Sequence, residues 1–119
     1  MKQPKRGEIY FFDFSPSKGR EMKGPHPALV IQNDIGNKVG SLTIVAAITS
    51  SLKVAELPVG VLIKSKESGL PYESVVHLGQ LYTIDKERLD NFVAALPQHR
   101  LNEVDKAIAI SLGLREFWQ

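Results

Sequence analysis

The sequence of 119 residues contains no cysteine. That single absence excludes a disulfide scaffold, thiolate zinc sites, iron–sulfur clusters and a cysteine nucleophile. Also absent is any apolar run near the roughly 20 residues that span a bilayer. The basic stretch Met1 to Gly7 leads into a short strand-like segment, with no apolar signal core and no small-residue cleavage site. The expectation is therefore a cytoplasmic protein without a membrane partner. Nor does one sign of charge dominate: 15 Lys and Arg stand against 13 Asp and Glu, a net +2. With 43% hydrophobic residues the composition is that of an ordinary globular chain, so disordered and low-complexity classes fall away. The length fits about one domain, read here as residues 1–119.

The charge is unevenly spread. Residues 1–53 hold eight Lys and Arg against four acids, and residues 54–119 hold seven against nine. Lys18, Arg20 and Lys23 lie together between Ser15 and Pro27, a local cationic segment able to attract phosphate or simply to be solvated.

Periodicity predicts a small, mostly antiparallel β domain closed by one amphipathic helix. Glu8–Phe14 reads as a strand, and residues 15–25, with Pro16, Gly19, Gly24 and Pro25, as a loop long enough to carry function. Pro27–Gln32 and Leu42–Ile48 are apolar runs that suit strands covered on both faces, with a turn over Asn33–Gly40 between them. Val59–Lys64 and Ser74–Leu81 are further strands, joined by a polar loop ending in Gly69 and Pro71. Thr83-Ile84-Asp85 opens a turn in which Asp85 caps Lys86–Leu89, and Asn91–Leu96 is a last strand. Leu101, Val104, Ile108 and Leu112 share one helical face, and Gly113 stands at the C-terminal cap.

An ordered set of short motifs is more specific. Arg6-Gly7-Glu8-Ile9-Tyr10 is followed by Pro16-x-x-Gly19-x-Glu21, by Pro27-Ala28-Leu29-Val30-Ile31-Gln32-Asn33-Asp34 and by Ala46-Ala47-Ile48-Thr49. Gln80, Thr83-Ile84-Asp85, Arg88-Leu89 and Ser111-Leu112-Gly113-Leu114 complete it. The set resembles the MazF/PemK (Kid) toxins of bacterial toxin–antitoxin pairs, over about Arg6 to Leu114. The resemblance implies an SH3-like antiparallel β-barrel with a C-terminal helix, assembled as a homodimer. It implies a sequence-specific endoribonuclease (an mRNA interferase) that cuts single-stranded RNA without metal or other cofactor. A cognate MazE-like antitoxin is implied as well, its disordered segment blocking the RNA groove.

Metal-free RNA cleavage uses the adjacent 2′-hydroxyl as nucleophile and leaves a 2′,3′-cyclic phosphate and a 5′-hydroxyl. It needs a base, an acid and donors for the charge that builds on phosphorus. Where many family members have an Arg before the proline of the second strand, this chain has His26, in Gly24-Pro25-His26-Pro27. A histidine exchanges protons readily but lacks the planar fork with which Arg holds phosphate; the alternative is a spacer between two prolines. Thr49 matches the family's active-site Thr and could donate to a phosphate oxygen, or else bond the turn backbone through Ser50 and Ser51. Arg20 is a candidate phosphate clamp. Glu21 matches an acidic family position, but also reads as half of a solvated charge pair. The Kid branch has Arg and Asp where this chain has His77 and Gly79; alternation puts both positions on one strand face. His77 is then a compensating proton carrier or a half-buried structural residue. Lys18, Lys23, Ser50, Ser51 and Gln80 are assigned as RNA contacts, and His99 has no assigned role. No metal site is expected from three histidines at positions 26, 77 and 99.

Two other functions compete. One is a catalytically impaired module that binds RNA and antitoxin, disabled through His26 and Gly79. The other is a CcdB-type gyrase inhibitor, for which the aromatic tail Phe117-Trp118-Gln119 speaks.

Overall fold

The computed structural model describes residues 3–114. The tail Phe117-Trp118-Gln119 lies outside them. Six strands form one antiparallel sheet: β1 (Glu8–Asp13), β2 (Pro25–Val30), β3 (Leu42–Thr49), β4 (Gly60–Ile63), β5 (Ser74–Asp85) and β6 (Phe92–Ala95). Their spatial order is β4-β5-β3-β2-β1-β6. Three helices join them, α1 (Asp34–Val39), α2 (Ser65–Ser68) and α3 (Gln98–Ser111), with 3-10 turns at Leu52–Glu56 and Lys86–Arg88.

Strand alternation divides the apolar residues between two cores, one on each face of the sheet. Ile9, Leu29, Ala46, Ile48, Val76 and Leu78 point to the face that α3 covers with Val104 and Ala107. Phe12, Phe14, Ala28, Val30, Val45 and Ala47 point to the other, where Ile84 and Leu89 join them. This double burial is why 28–31 and 42–48 read as continuous apolar runs. Each fully buried Val, Leu or Ile contributes roughly 1.5–3 kcal/mol, so the central strands β2 and β3 anchor the fold from both sides.

The sheet curls into a half-barrel. Glycine at 69 marks where its far edges meet: it has φ +75°, and a Cβ there would lie 3.3 Å from Ala94 Cβ and 3.5 Å from the carbonyl oxygen of Val93. So α2, which follows β4, packs on β6 at the opposite edge. Glu67 strengthens the seam, its Oε1 ion-paired with Arg100 Nε at 3.0 Å and its Oε2 in contact with His99 Nε2 at 2.9 Å. His99 thus ties α2 to the start of α3.

Four details differ from the sequence reading. The turn predicted over Asn33–Gly40 contains a helix, α1, whose N-terminus is capped by Asn33 Oδ1 accepting from the Gly36 amide. Its Asn37 is buried and its carboxamide fully bonded. Oδ1 accepts from Thr43 Oγ1 (2.6 Å) and Gln32 Nε2 (3.0 Å), and Nδ2 donates to the Gln32 carbonyl and Asp34 Oδ1. The buried Lys86 ammonium donates to the Asn37 carbonyl at 2.7 Å. The polar segment between β4 and β5 holds the short α2. Thr83-Ile84-Asp85 is not a turn but the end of a 12-residue β5; Asp85 does cap the next turn, accepting from the Glu87 amide. Finally, Leu112 is 58% exposed, because α3 ends there. The Gly113 amide donates to the Ile110 carbonyl and the Leu114 amide to the Ala109 carbonyl, a Schellman closure with Gly113 at φ +76°. Among the described residues no helix is long and apolar enough to cross a membrane.

Candidate active site

The most irregular stretch of the sheet lies in β5. From Leu42↔Asp85 to Ala46↔Leu81 the strands β3 and β5 pair in one register; the next pair is Ala47↔His77. Residues 78–80 are thus looped out of that ladder as a bulge, which re-aims the side chains around it. His77 and Gly79 still share a face, as alternation predicts, since a Cβ at 79 would sit 2.7 Å from His77 Cε1. The missing side chain at 79 is what gives the imidazole its place. The Gly79 amide donates to His77 Nδ1 at 3.1 Å, which in the neutral ring leaves the proton on Nε2. Burial holds the His77 pKa below the ordinary histidine value, so near neutral pH His77 is an uncharged N–H donor.

This ring lines a cleft of about 490 Å³ together with Arg20, Glu21, Gly79, Gln80, Leu81 and Tyr82. The 15–24 loop forms its other wall, and one side chain holds it there. Gln80 Oε1 accepts from the Met22 amide at 2.7 Å and from the Tyr82 hydroxyl at 2.7 Å, while Gln80 Nε2 donates to the Arg20 carbonyl at 3.2 Å. Glu21 acts within the loop, its Oε1 accepting from the Lys18 amide. The loop base closes through the Phe14 amide on the Gly24 carbonyl (2.9 Å) and the Gly24 amide on Ser15 Oγ (3.1 Å). Burial, with the nearby Glu21 charge adding to it, raises the Tyr82 pKa, so Tyr82 remains a neutral hydrogen-bond donor. The Arg20, Lys18 and Lys23 side chains are exposed. Of these cations only Arg20 lines the cleft.

A second, smaller cleft of about 190 Å³ opens at the ends of β2 and β3. The β2–β3 ladder runs only from Val30↔Val45 to Ala28↔Ala47; continuing its register by two residues brings His26 level with Thr49. Both line this cleft, with Ser50 beside them. Thr49 Oγ1 accepts from the Ser51 amide at 3.1 Å, leaving its own O–H to donate outward. The turn-bonding and donor readings of Thr49 are therefore compatible. Ser51 serves through its backbone. The remaining wall is apolar and aromatic, with Phe11, Pro27, Ile48, Leu70, Pro71 and Tyr72.

Alternation puts His26, Thr49 and His77 on one face of the sheet, that of Ala28 and Ala47. The buried Phe14 lies between His26 and Tyr82, its ring centroid 6.5 Å from that of His26 and 4.9 Å from that of Tyr82. The site can therefore offer two imidazoles, a hydroxyl donor and the Arg20 cation to a chain lying along this face. Tyr82, Phe11 and Tyr72 were not singled out by the sequence. A glycine inside a strand pattern is itself a bulge signal, and it would have pointed to Tyr82 beyond it. Among the described residues no group of three or more His, Asp or Glu side chains converges as metal ligands.

Comparison with known proteins gives consistent matches. Residues 5–112 match the family of PemK-like, MazF-like toxins of type II toxin–antitoxin systems. Endoribonuclease EndoA of Bacillus subtilis (strain 168) is 47% identical over 113 residues, 95% of this chain and 97% of that protein. Among solved structures, MazF from Deinococcus radiodurans superimposes with a TM-score of 0.79 at 27% identity, covering 95% of this chain and 99% of its own. A MazE–MazF structure from the same organism gives a TM-score of 0.75 at 26% identity, covering 97% and 100%.

Proposed function

This chain belongs to the PemK-like, MazF-like toxins of type II toxin–antitoxin systems, and on that premise we propose that it is a metal-independent endoribonuclease acting on single-stranded RNA. The observation that carries the reading is the placing of His26, Thr49 and His77 on one face of the sheet, each histidine lining a cleft. In the proposed reaction His26 takes the proton of the 2′-hydroxyl. The 2′-oxygen bonds to phosphorus, the P–O5′ bond breaks, and the departing 5′-oxygen takes a proton from water while the neutral His77 donates a hydrogen bond to it from Nε2. The products are a 2′,3′-cyclic phosphate and a 5′-hydroxyl. Thr49 and Arg20 donate to the phosphoryl oxygens, where preorganised donors act most strongly on developing charge. Gln80 and Glu21 hold the loop that carries Arg20.

The same reading makes the protein a homodimer acting in the cytoplasm and inhibited by a cognate antitoxin. An acidic, partly disordered antitoxin segment is suited to the exposed Lys18, Arg20 and Lys23, and salt should weaken its binding. Primer-extension mapping of cuts in a long RNA, with and without EDTA, tests the activity. Cuts that persist in EDTA, leave cyclic phosphate ends and vanish with 2′-O-methyl at the scissile nucleotide are expected. A strict need for Mg²⁺, or cleavage of the methylated RNA, rejects the mechanism; RNA that is bound but never cut favours the impaired binding module.

A further inference from the structure

The proposed chemistry uses only the His26 and Thr49 side of the smaller cleft. The rest of its wall is unlike the larger cleft. Buried Ile48 and Leu70 form the floor, and two aromatic rings stand at the rim, Phe11 at 39% and Tyr72 at 72% exposure. Among the described residues the Tyr72 hydroxyl has no hydrogen-bond partner, whereas the backbone carbonyl of Tyr72 accepts from Ser74 Oγ at 3.2 Å. The backbone at Tyr72 is thus held while the face of its ring stays open. At about 190 Å³ the cleft falls below the roughly 300–1,000 Å³ of sites for drug-sized ligands. One flat ring system fits it better than a whole nucleotide or a peptide side-chain cluster.

We propose that this cleft is a nucleobase subsite, in which an unpaired base next to the scissile phosphate is held against Tyr72 and Phe11. The inference rests on the endoribonuclease reading and deepens it by naming what selects the RNA. Three observations favour a base as occupant. The cleft includes residues assigned to the phosphate, since His26, Thr49 and Ser50 are part of its lining. Among the described residues its lining carries no Lys or Arg, so it suits the uncharged part of a nucleotide while Arg20 in the larger cleft suits the charged part. Unpaired RNA bases are characteristically recognised by stacking on aromatic faces with nearby polar groups reading the edge, and Ser50 and Thr49 supply such groups. Phe11 and Pro27 sit on directly paired positions of β1 and β2, so that part of the wall is rigid.

The test is a cycle between protein and RNA. A 2′-O-methyl RNA selected for tight binding, and therefore not cleavable, is prepared with one base at a time removed, and binding is read by fluorescence anisotropy. Removing the base that occupies the subsite should weaken binding to the native protein by about tenfold or more, the scale seen for base–aromatic contacts. Tyr72→Ala should impose a similar loss on the intact RNA, and Tyr72→Phe a much smaller one. At that one position the two losses should not multiply. Losses that multiply at every position overturn the subsite, as does the absence of any RNA binding. So does a Tyr72→Ala protein that binds RNA normally but has a changed mass in light scattering, because a second copy then covers this face. Cleavage of the unmethylated RNA is scored separately, so a protein that binds with the predicted coupling but cuts nothing rejects the nuclease reading alone.

Discussion

Gly79→Ala is a small change with a large expected effect. The glycine is exposed and its backbone φ lies outside the left-handed region, so an alanine backbone fits. The added methyl, however, would stand 2.7 Å from His77 Cε1 and 3.1 Å from Nδ1, where ordinary contact begins at 3.4 Å. The imidazole must withdraw by about 0.7 Å or rotate away, and its hydrogen bond from the Gly79 amide is lost or bent. That bond contributes roughly 0.5–1.5 kcal/mol, offset by about 0.4–1 kcal/mol from the stiffer unfolded chain. Global stability should then change by no more than about 1 kcal/mol, some 4 °C in Tm for a domain of this size. Catalysis is less forgiving: misplacing a hydrogen-bond donor by about 1 Å can cost up to 10²-fold. Single-turnover cleavage of an RNA oligonucleotide should slow by about 10- to 100-fold. The His77 ring signal in an NMR titration should move up toward the ordinary histidine value, because the displaced ring is better solvated. Introduced into His77→Ala, the same substitution should do nothing further. An equal loss of rate in both backgrounds would refute the reasoning, since the methyl would then be acting on something other than His77.

Other perturbations separate the remaining roles. His26→Ala should lower the chemical rate by a factor of order 10² or more and change RNA binding far less; full activity would make His26 a spacer. Burial keeps the folded His77 pKa low, so the unfolded chain binds its proton first as pH falls. Stability should therefore drop as the pH falls below about 6.5 and be independent of this residue above it, a dependence that urea melts of His77→Ala should lack. Asn37→Ala should be the most damaging change outside the site. It removes a carboxamide that makes four hydrogen bonds and leaves the buried Thr43 hydroxyl without its acceptor. The expected loss is about 3 kcal/mol, roughly 10 °C in Tm by calorimetry.

The parts legible in the sequence were those set by local pattern. Strands β1, β2, β3 and β6 and the core face of α3 through Leu101, Val104 and Ile108 follow from apolar spacing, and Asp85 announces its cap. What escaped depends on contacts distant in sequence. Helix α1 contains Gly36 and Asn37, poor helix formers, and exists because Asn37 is locked between Gln32, Thr43 and Lys86. Nothing local marks Lys86 as buried. The length of β5 was hidden because a strand period counted from Ser74 loses phase at the bulge over 78–80. Both His26 and His77 stood out as residue types, but their separation into two clefts arises only from the curl of the sheet. Gln80 was legible as a site residue and lines the cleft, but its hold on the 15–24 loop is visible only once Met22 and Arg20 are brought beside it.

The ladder between β2 and β3 stops at Ala28↔Ala47, short of His26 and Thr49, and β5 leaves its ladder from 78 to 80. The side chains proposed for the chemistry therefore stand beside interruptions in the sheet's ladders, while the doubly covered strand centres carry the stability. Such an arrangement lets a lineage trial new chemistry cheaply: exchanging arginine for histidine at 26, or a carboxylate for a glycine that admits an imidazole at 79, alters neither the pairing nor either core. Diversification of RNA preference among proteins built this way is then a matter of rewriting strand ends, and the scaffold tolerates each draft.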